Sequence, residues 1–349
     1  MDSALAPSLR LQAQACLALG SPFNAQLLEL AAEDCNADGP TAALLAPWTG
    51  QDLRALMAAA VPLRLLGALH DLVLSGEAPA LADAYPQPGK AFDAGSAWRE
   101  ARRAMAEHAD RLAAFMDHEP QTNEVRRSAA LLGGFLTVAK QTGLPLRCFE
   151  IAASAGLNLS WDRYRYDLSG ASWGPESPVL LPSDWSGALP LDAQVRVVHR
   201  QACDRRPVDL KDPVQRRRLT AYVWPDQFDR LERIRAAIDV ALNNDVIVEA
   251  ADAVDWTARS AAPTPGAATV IYHSVFWQYM PAASQAALRQ AIEYLGASAT
   301  HDAPLAWLRM EPPPENMAIM EVRLTMWPGG EERVLAVVHA HGASARWMG

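Results

Sequence analysis

The sequence predicts an α/β fold: a mostly parallel sheet with a C-terminal antiparallel β-hairpin, preceded by an all-helical N-terminal cap. Residues 1–120 show apolar side chains at helical spacing throughout. From Leu146 onward short apolar runs alternate with amphipathic stretches, the pattern of parallel strands joined by helical crossovers. At the end, AIMEVRLTMW and ERVLAVVHAHG flank Pro328-Gly329-Gly330, a strong hairpin turn. The length of 349 residues suits two domains: a helical cap over 1–120, and an α/β domain over 121–349 with an aromatic-rich insertion at about 160–190.

Composition narrows the class. Half of the residues are apolar and 20% are charged, which predicts a soluble globular chain. No apolar run approaches the roughly 18 residues of a membrane span. The opening MDSALAPSLR starts with an acid and lacks the basic-then-apolar pattern of a secretory signal, so the expected compartment is the cytoplasm. A net charge of −9 repels phosphate backbones, and the short clusters Arg205-Arg206 and Arg216–Arg218 read as solvated faces, so nucleic acid is not an expected partner. The cysteines Cys16, Cys35, Cys148 and Cys203 form no C-x-x-C pair and indicate neither a disulfide framework nor a zinc site.

In chain order, LRLQAQACLAL, NAQLLELAAE, DLRALMAAAV and PLRLLGALHDLVL read as helices, with Pro22 and Pro62 near starts and Gly20, Gly39 and Gly76 near stops. A longer helix is expected from Ser96 to His118, with Met105, Ala109, Leu112 and Met116 on one stripe. His70, His108 and His118 read as surface histidines. In QTNEVRRSAALLGGFLTVAKQTG the spacing of Val125, Ala129, Leu132, Leu136 and Ala139 predicts a helix, with Thr122 or Asn123 as N-cap and Glu124 in its first turn. LRCFEIAASAGLN follows: an apolar strand ending at Glu150, then a turn of small residues that lets a ligand approach the backbone. Past Asn158 comes a long aromatic, Gly- and Pro-rich insertion, in which Tyr164 and Tyr166 alternate as on a strand and either line an acceptor pocket or pack a hairpin. The sheet resumes with VRVVHRQAC closed by Asp204, DVIVEA closed by Ala251-Asp252, ATVIYHSVFW carrying His273 and Ser274, and PLAWLRME.

Open parallel sheets bind ligands outside the C-terminal ends of their strands. Those ends present Glu150 with the small-residue turn, Asp204, Asp252 and the pair His273-Ser274. A carboxylate after the second strand suits a ribose diol, because it accepts from both hydroxyls. Asp252, followed by Ala253, suits an adenine amino group. His273 is either a general base or a hydrogen-bonded histidine tying the fourth strand to a neighbour. His339 and His341 share a face of the last strand but lack a third ligand, so no metal site is expected.

From QTNEV through EIAASAGLN, DRYRY, CDRRPVDL, VWPDQ, ADAVDW, YHSVFWQY, PLAWLRMEP and WPGGEERVLA, the chain resembles an uncharacterised bacterial domain-of-unknown-function family grouped with class I S-adenosylmethionine-dependent methyltransferases. The resemblance implies a Rossmann-like sheet, S-adenosylmethionine as cofactor and methyl transfer to a small-molecule acceptor. The alternative is a catalytically silent cofactor-binding or scaffold protein on the same fold. It implies cofactor contacts from Glu150, Ala152, Ser154, Gly156, Asn158, Asp204, Asp252, Ala253 and Ser274, with His273 as candidate base. Ala152, Ser154 and Gly156 stand where such loops carry three glycines, which narrows the room for the methionine moiety. The acceptor is expected between the helical cap and the strand ends, bordered by Asn123, Glu124, Tyr164, Tyr166 and Trp277.

Overall fold

The structure, a computed structural model, describes residues 4–349. The first three residues of the stretch weighed above for a targeting signal lie outside the described residues. The chain divides into two compact units, residues 1–122 with 212–235, and residues 123–211 with 236–349.

The first unit is helical. Its helices include Leu5–Ala18, Pro22–Asp34, Val61–Ser75, Ala94–Glu107, Ala109–Met116 and Pro213–Ala221. Proline opens the second and third of these, where a missing N–H costs nothing, and Gly76 closes the third in a left-handed cap. The single helix expected over Ser96–His118 is broken at His108, whose φ of −123° leaves the helical region. Ala109, expected on the apolar stripe, is exposed, while Leu112 and Met116 are buried as expected, together with Phe115. His70 is buried rather than on the surface, with Nδ1 3.1 Å from the Ala221 carbonyl, because Pro213–Ala221 packs along its helix. Beside it the buried Asp71 accepts from Arg111 and Arg217, both at 2.9 Å.

The second unit is built on a sheet. Its strands are β1 (Leu146–Ile151), β2 (Arg165–Leu168), β3 (Ala171–Trp173), β4 (Leu180–Pro182), β5 (Asp184–Ser186), β6 (Val197–Asp204), β7 (Val248–Ala250), β8 (Ala268–Ser274), β9 (Leu305–Glu311), β10 (Met320–Trp327), β11 (Glu331–Val338) and β12 (Ser344–Trp347). Nine of them form one mixed, mostly parallel sheet in the order β5-β12-β11-β10-β9-β8-β1-β6-β7. The run β7-β6-β1-β8-β9 is parallel throughout, and β9-β10-β11-β12 is antiparallel. The expected hairpin is β10 and β11, with Gly329 and Gly330 both at positive φ in the turn. β1, β8 and β9 are buried on both faces, which explains their largely apolar runs.

The helix Arg127–Thr142 covers one face, and its two glycines allow this: a Cβ at Gly134 would come within 2.3 Å of Leu308, and one at Gly133 within 2.3 Å of Trp347. This helix starts after the residues expected to cap it, and Asn123 accepts from Leu157 N–H instead. The insertion forms the small sheet β3-β2-β4, and then contributes β5 to the edge of the main sheet, parallel to β12.

Candidate functional site

Strand order reverses between β1 and β8: the chain leaves β1 for β6 on one side and returns to β8 on the other. In open α/β sheets such a reversal opens a crevice at the C-terminal ends of the strands. The residues expected there fall into two hydrogen-bonded assemblies and one separate cap.

The first assembly is the turn after β1. Ala152, Ser154 and Gly156 all have positive φ, at 55°, 54° and 72°, so the positions expected to replace glycines keep a left-handed backbone. The turn is held from β6: Asp204 accepts from Ser154 N–H and Arg206 N–H, each at 2.8 Å, and Ala153 N–H donates to the Cys203 carbonyl. From the opposite side, Asn123 Oδ1 accepts from Leu157 N–H at 3.0 Å, and Ser128 donates to Asn158 Oδ1 at 2.7 Å. Glu124 Oε1 accepts from Arg126 N–H at 3.2 Å. Asn123 and Glu124 are both buried, and Asn123 braces the turn through its side chain while the Glu124 carbonyl accepts from Asn158 Nδ2–H at 3.4 Å.

Glu150 lies under this turn, 4% exposed, and Tyr272 donates to its Oε2 at 3.2 Å and to the Asn158 carbonyl at 3.3 Å. Burial pushes the Glu150 carboxyl up to about 8, against the lowering effect of the Tyr272 hydroxyl. The charge of Asp204 pushes the same way as burial, and that of Arg127 opposes it. Gly156 does not open room for a ligand: a Cβ there would meet Val246 at 2.7 Å and Val248 at 2.8 Å. The buried Ser154 hydroxyl, by contrast, has no hydrogen-bond partner.

The second assembly closes β8. His273 is fully buried, with Nδ1 2.7 Å from Glu311 Oε1, while Trp307 Nε1–H donates to its Nε2 at 3.1 Å. Indole only donates, so Nε2 is the acceptor and the proton sits on Nδ1, shared with Glu311. No lone pair remains for a substrate. Of the two readings of His273, this hydrogen bonding matches the one that ties the fourth strand to its neighbour. Glu311 also accepts from Phe276 N–H, at 3.0 and 3.1 Å, across a turn in which Val275 has a φ of 51°. Ser274 is half-buried at the strand end, and Trp277, also half-buried, stacks on the His273 ring at 5.7 Å and 13°.

Asp252 stands apart, exposed, and caps the helix Ala253–Ser260 through Val254 N–H at 2.9 Å, with Ala253 buried beneath it. Tyr164 and Tyr166 are fully buried and donate to the carbonyls of Leu157 at 2.5 Å and Trp161 at 2.6 Å. This is packing, one of the two roles the sequence left open for them.

Three contributors went unread in the sequence. Tyr272 pairs with Glu150 across β1 and β8, a register visible only once the strands are paired. Glu311 ends the fifth parallel strand as Glu150 ends the first, so the same strand-end signal was there to be read. Trp307 gave none, being one aromatic in a buried run. Among the described residues no group of three or more His, Cys, Asp or Glu is placed to hold a metal ion. No helix among them is long and apolar enough to cross a membrane.

Fold and site thus define a mixed α/β protein with a mostly parallel nine-stranded sheet and polar groups gathered at its reversal point. The chain belongs to a family of bacterial proteins, described as uncharacterized protein conserved in bacteria (DUF2332), whose profile matches residues 6–347. No curated protein and no solved structure matches it.

Proposed function

We propose that the chain is a class I S-adenosylmethionine-dependent methyltransferase acting on a small-molecule acceptor. The observation that carries this is the run β7-β6-β1-β8-β9, which by order of appearance is 3-2-1-4-5, the order of the first five strands of a dinucleotide-binding sheet, with a left-handed turn at its reversal point.

The residues fit the polar edge of a nucleoside. Each Asp204 oxygen accepts one backbone N–H and keeps a lone pair, and Ser154 brings an unpartnered buried hydroxyl. Asp204 and Ser154 would hold the ribose side, and Asp252 would face the base. When bound, the cofactor would supply a methyl group on a sulfonium centre. The protein's part is placement, since transfer to an atom that is already nucleophilic needs no base. The engaged state of His273 favours such acceptors. The acidic net charge of −9 favours small molecules over nucleic acid.

Ser154→Ala and Asp252→Asn separate ligand binding from folding, because Ser154 Oγ makes no internal bond and asparagine caps helices as well as aspartate. Both variants are expected to keep wild-type stability and to weaken S-adenosylhomocysteine binding about tenfold by calorimetry, near 1.4 kcal/mol. Wild-type protein that leaves S-adenosylhomocysteine unbound would end the proposal. The second reading, a cofactor-binding protein without catalysis, is favoured by the engaged His273 and the buried Tyr164 and Tyr166. It predicts binding with no transfer of labelled methyl to any nucleophile in a broad panel.

A further inference from the structure

A cavity of about 240 Å³ lies beside the β1 turn, at the β7 edge of the sheet. Its walls include Ala155, Val208, Leu242 and Val248. One turn residue, Ala155, lines it, and its two neighbours hold lining residues: the Ser154 carbonyl accepts from Val208 N–H at 3.1 Å, and Gly156 abuts Val246 and Val248. The charged groups on its lining are Asp209 and Asp245 against Lys211, a net charge of −1. Ile247, on the same lining, is 73% exposed, a large apolar side chain left in water beside an apolar hollow.

We propose that this cavity is a second ligand site, taking a small single-ring or branched apolar ammonium compound. Its size lies below the roughly 300 Å³ at which drug-sized pockets begin, so it suits one ring rather than a whole nucleoside. The apolar walls take the ring, and the excess carboxylate takes the cation through a charge-assisted hydrogen bond. Because Ala155 forms part of the wall and Val208, Val246 and Val248 hold its neighbours, a bound ligand stiffens the turn. The site does not depend on the methyltransferase reading, and its test uses no adenosyl compound.

The test is calorimetry on the full chain with benzylamine, benzyl alcohol and benzoate, together with amide hydrogen exchange across residues 152–159. Saturable benzylamine binding is expected, weakened at least about tenfold in Asp245→Asn and by a similar factor when Val248→Phe fills the cavity. Exchange across the turn should slow when benzylamine is bound. Absence of saturable binding to the wild type overturns the site. Equal affinity for benzoate overturns the ligand class, and binding unchanged in both variants overturns the location.

Discussion

Ala152 and Ser154 hold left-handed φ values of 55° and 54°, a conformation that costs an L-residue roughly 1–2 kcal/mol and glycine almost nothing. Ala152→Gly removes that strain but loosens the unfolded chain, so urea unfolding should show a change between zero and about 1 kcal/mol of added stability. Gly156→Ala meets both penalties, since φ is 72° and Val246 and Val248 fill the space. A loss of about 2–4 kcal/mol is expected from strain and overpacking together. The buried Glu150 should make its unit sensitive to alkali. Its carboxyl is raised from 4.5 to about 8, so the folded state holds a proton that the unfolded state has released. The stabilisation is full below about pH 4.5 and is lost as pH rises through about 8. At roughly 1.36 kcal/mol for each pH unit between those two values, the loss is on the order of a few kcal/mol. Glu150→Gln should flatten this slope in urea titrations repeated across that range.

At the scale of one element, the turn after β8 is over-determined. Val275 is β-branched at a φ of 51°, and it persists because Glu311, at the end of β9, holds both His273 Nδ1–H and Phe276 N–H. Glu311→Ala leaves buried donors without partners, each costing roughly 1–3 kcal/mol, so a loss of about 3 kcal/mol or more is expected in denaturant unfolding. Nitrogen NMR should find His273 Nε2 as the acceptor facing Trp307, with the proton on Nδ1. A wild-type His273 protonated on Nε2 would be incompatible with the Trp307 hydrogen bond and would reopen its reading as a base.

At the scale of the whole molecule, the two units carry opposite pH dependences. Burial lowers His70 in the helical unit from 6.5 to about 4, against its contacts with the Ala221 and Val223 carbonyls. The unfolded state therefore binds a proton that the folded state refuses between those values. Stability is full above about pH 6.5 and falls as pH drops toward 4. Glu150 acts in reverse on the sheet unit. Amide exchange, corrected for its intrinsic pH dependence, should show Val61–Ser75 opening more readily near pH 5 than near pH 8, and β1 the other way round. A single transition shared by both units at every pH would remove the prediction. Asp71→Ala should lower the stability of the helical unit by about 1–3 kcal/mol, because Arg217 loses a buried partner while Arg111 keeps Glu77.

Periodicity and turn chemistry determined the elements: the helices opened by Pro22 and Pro62, the strands of the parallel run, the C-terminal hairpin and the acids at the strand ends. These are local properties, set within a few residues by side-chain alternation and backbone preference. Only the tertiary structure decided which partner each polar atom takes. Asn123 was legible as a helix cap yet bonds Leu157, 34 residues on; His273 was legible as a base or as a strand tie, and its bonds to Glu311 and Trp307 belong to the second. The break at His108, the burial of His70, Tyr164 and Tyr166, and the docking of β5 on β12 belong to the same kind. Each depends on strand register or packing between segments far apart in the chain. A buried polar group must find a partner wherever the fold brings one, and that search lies beyond the reach of spacing.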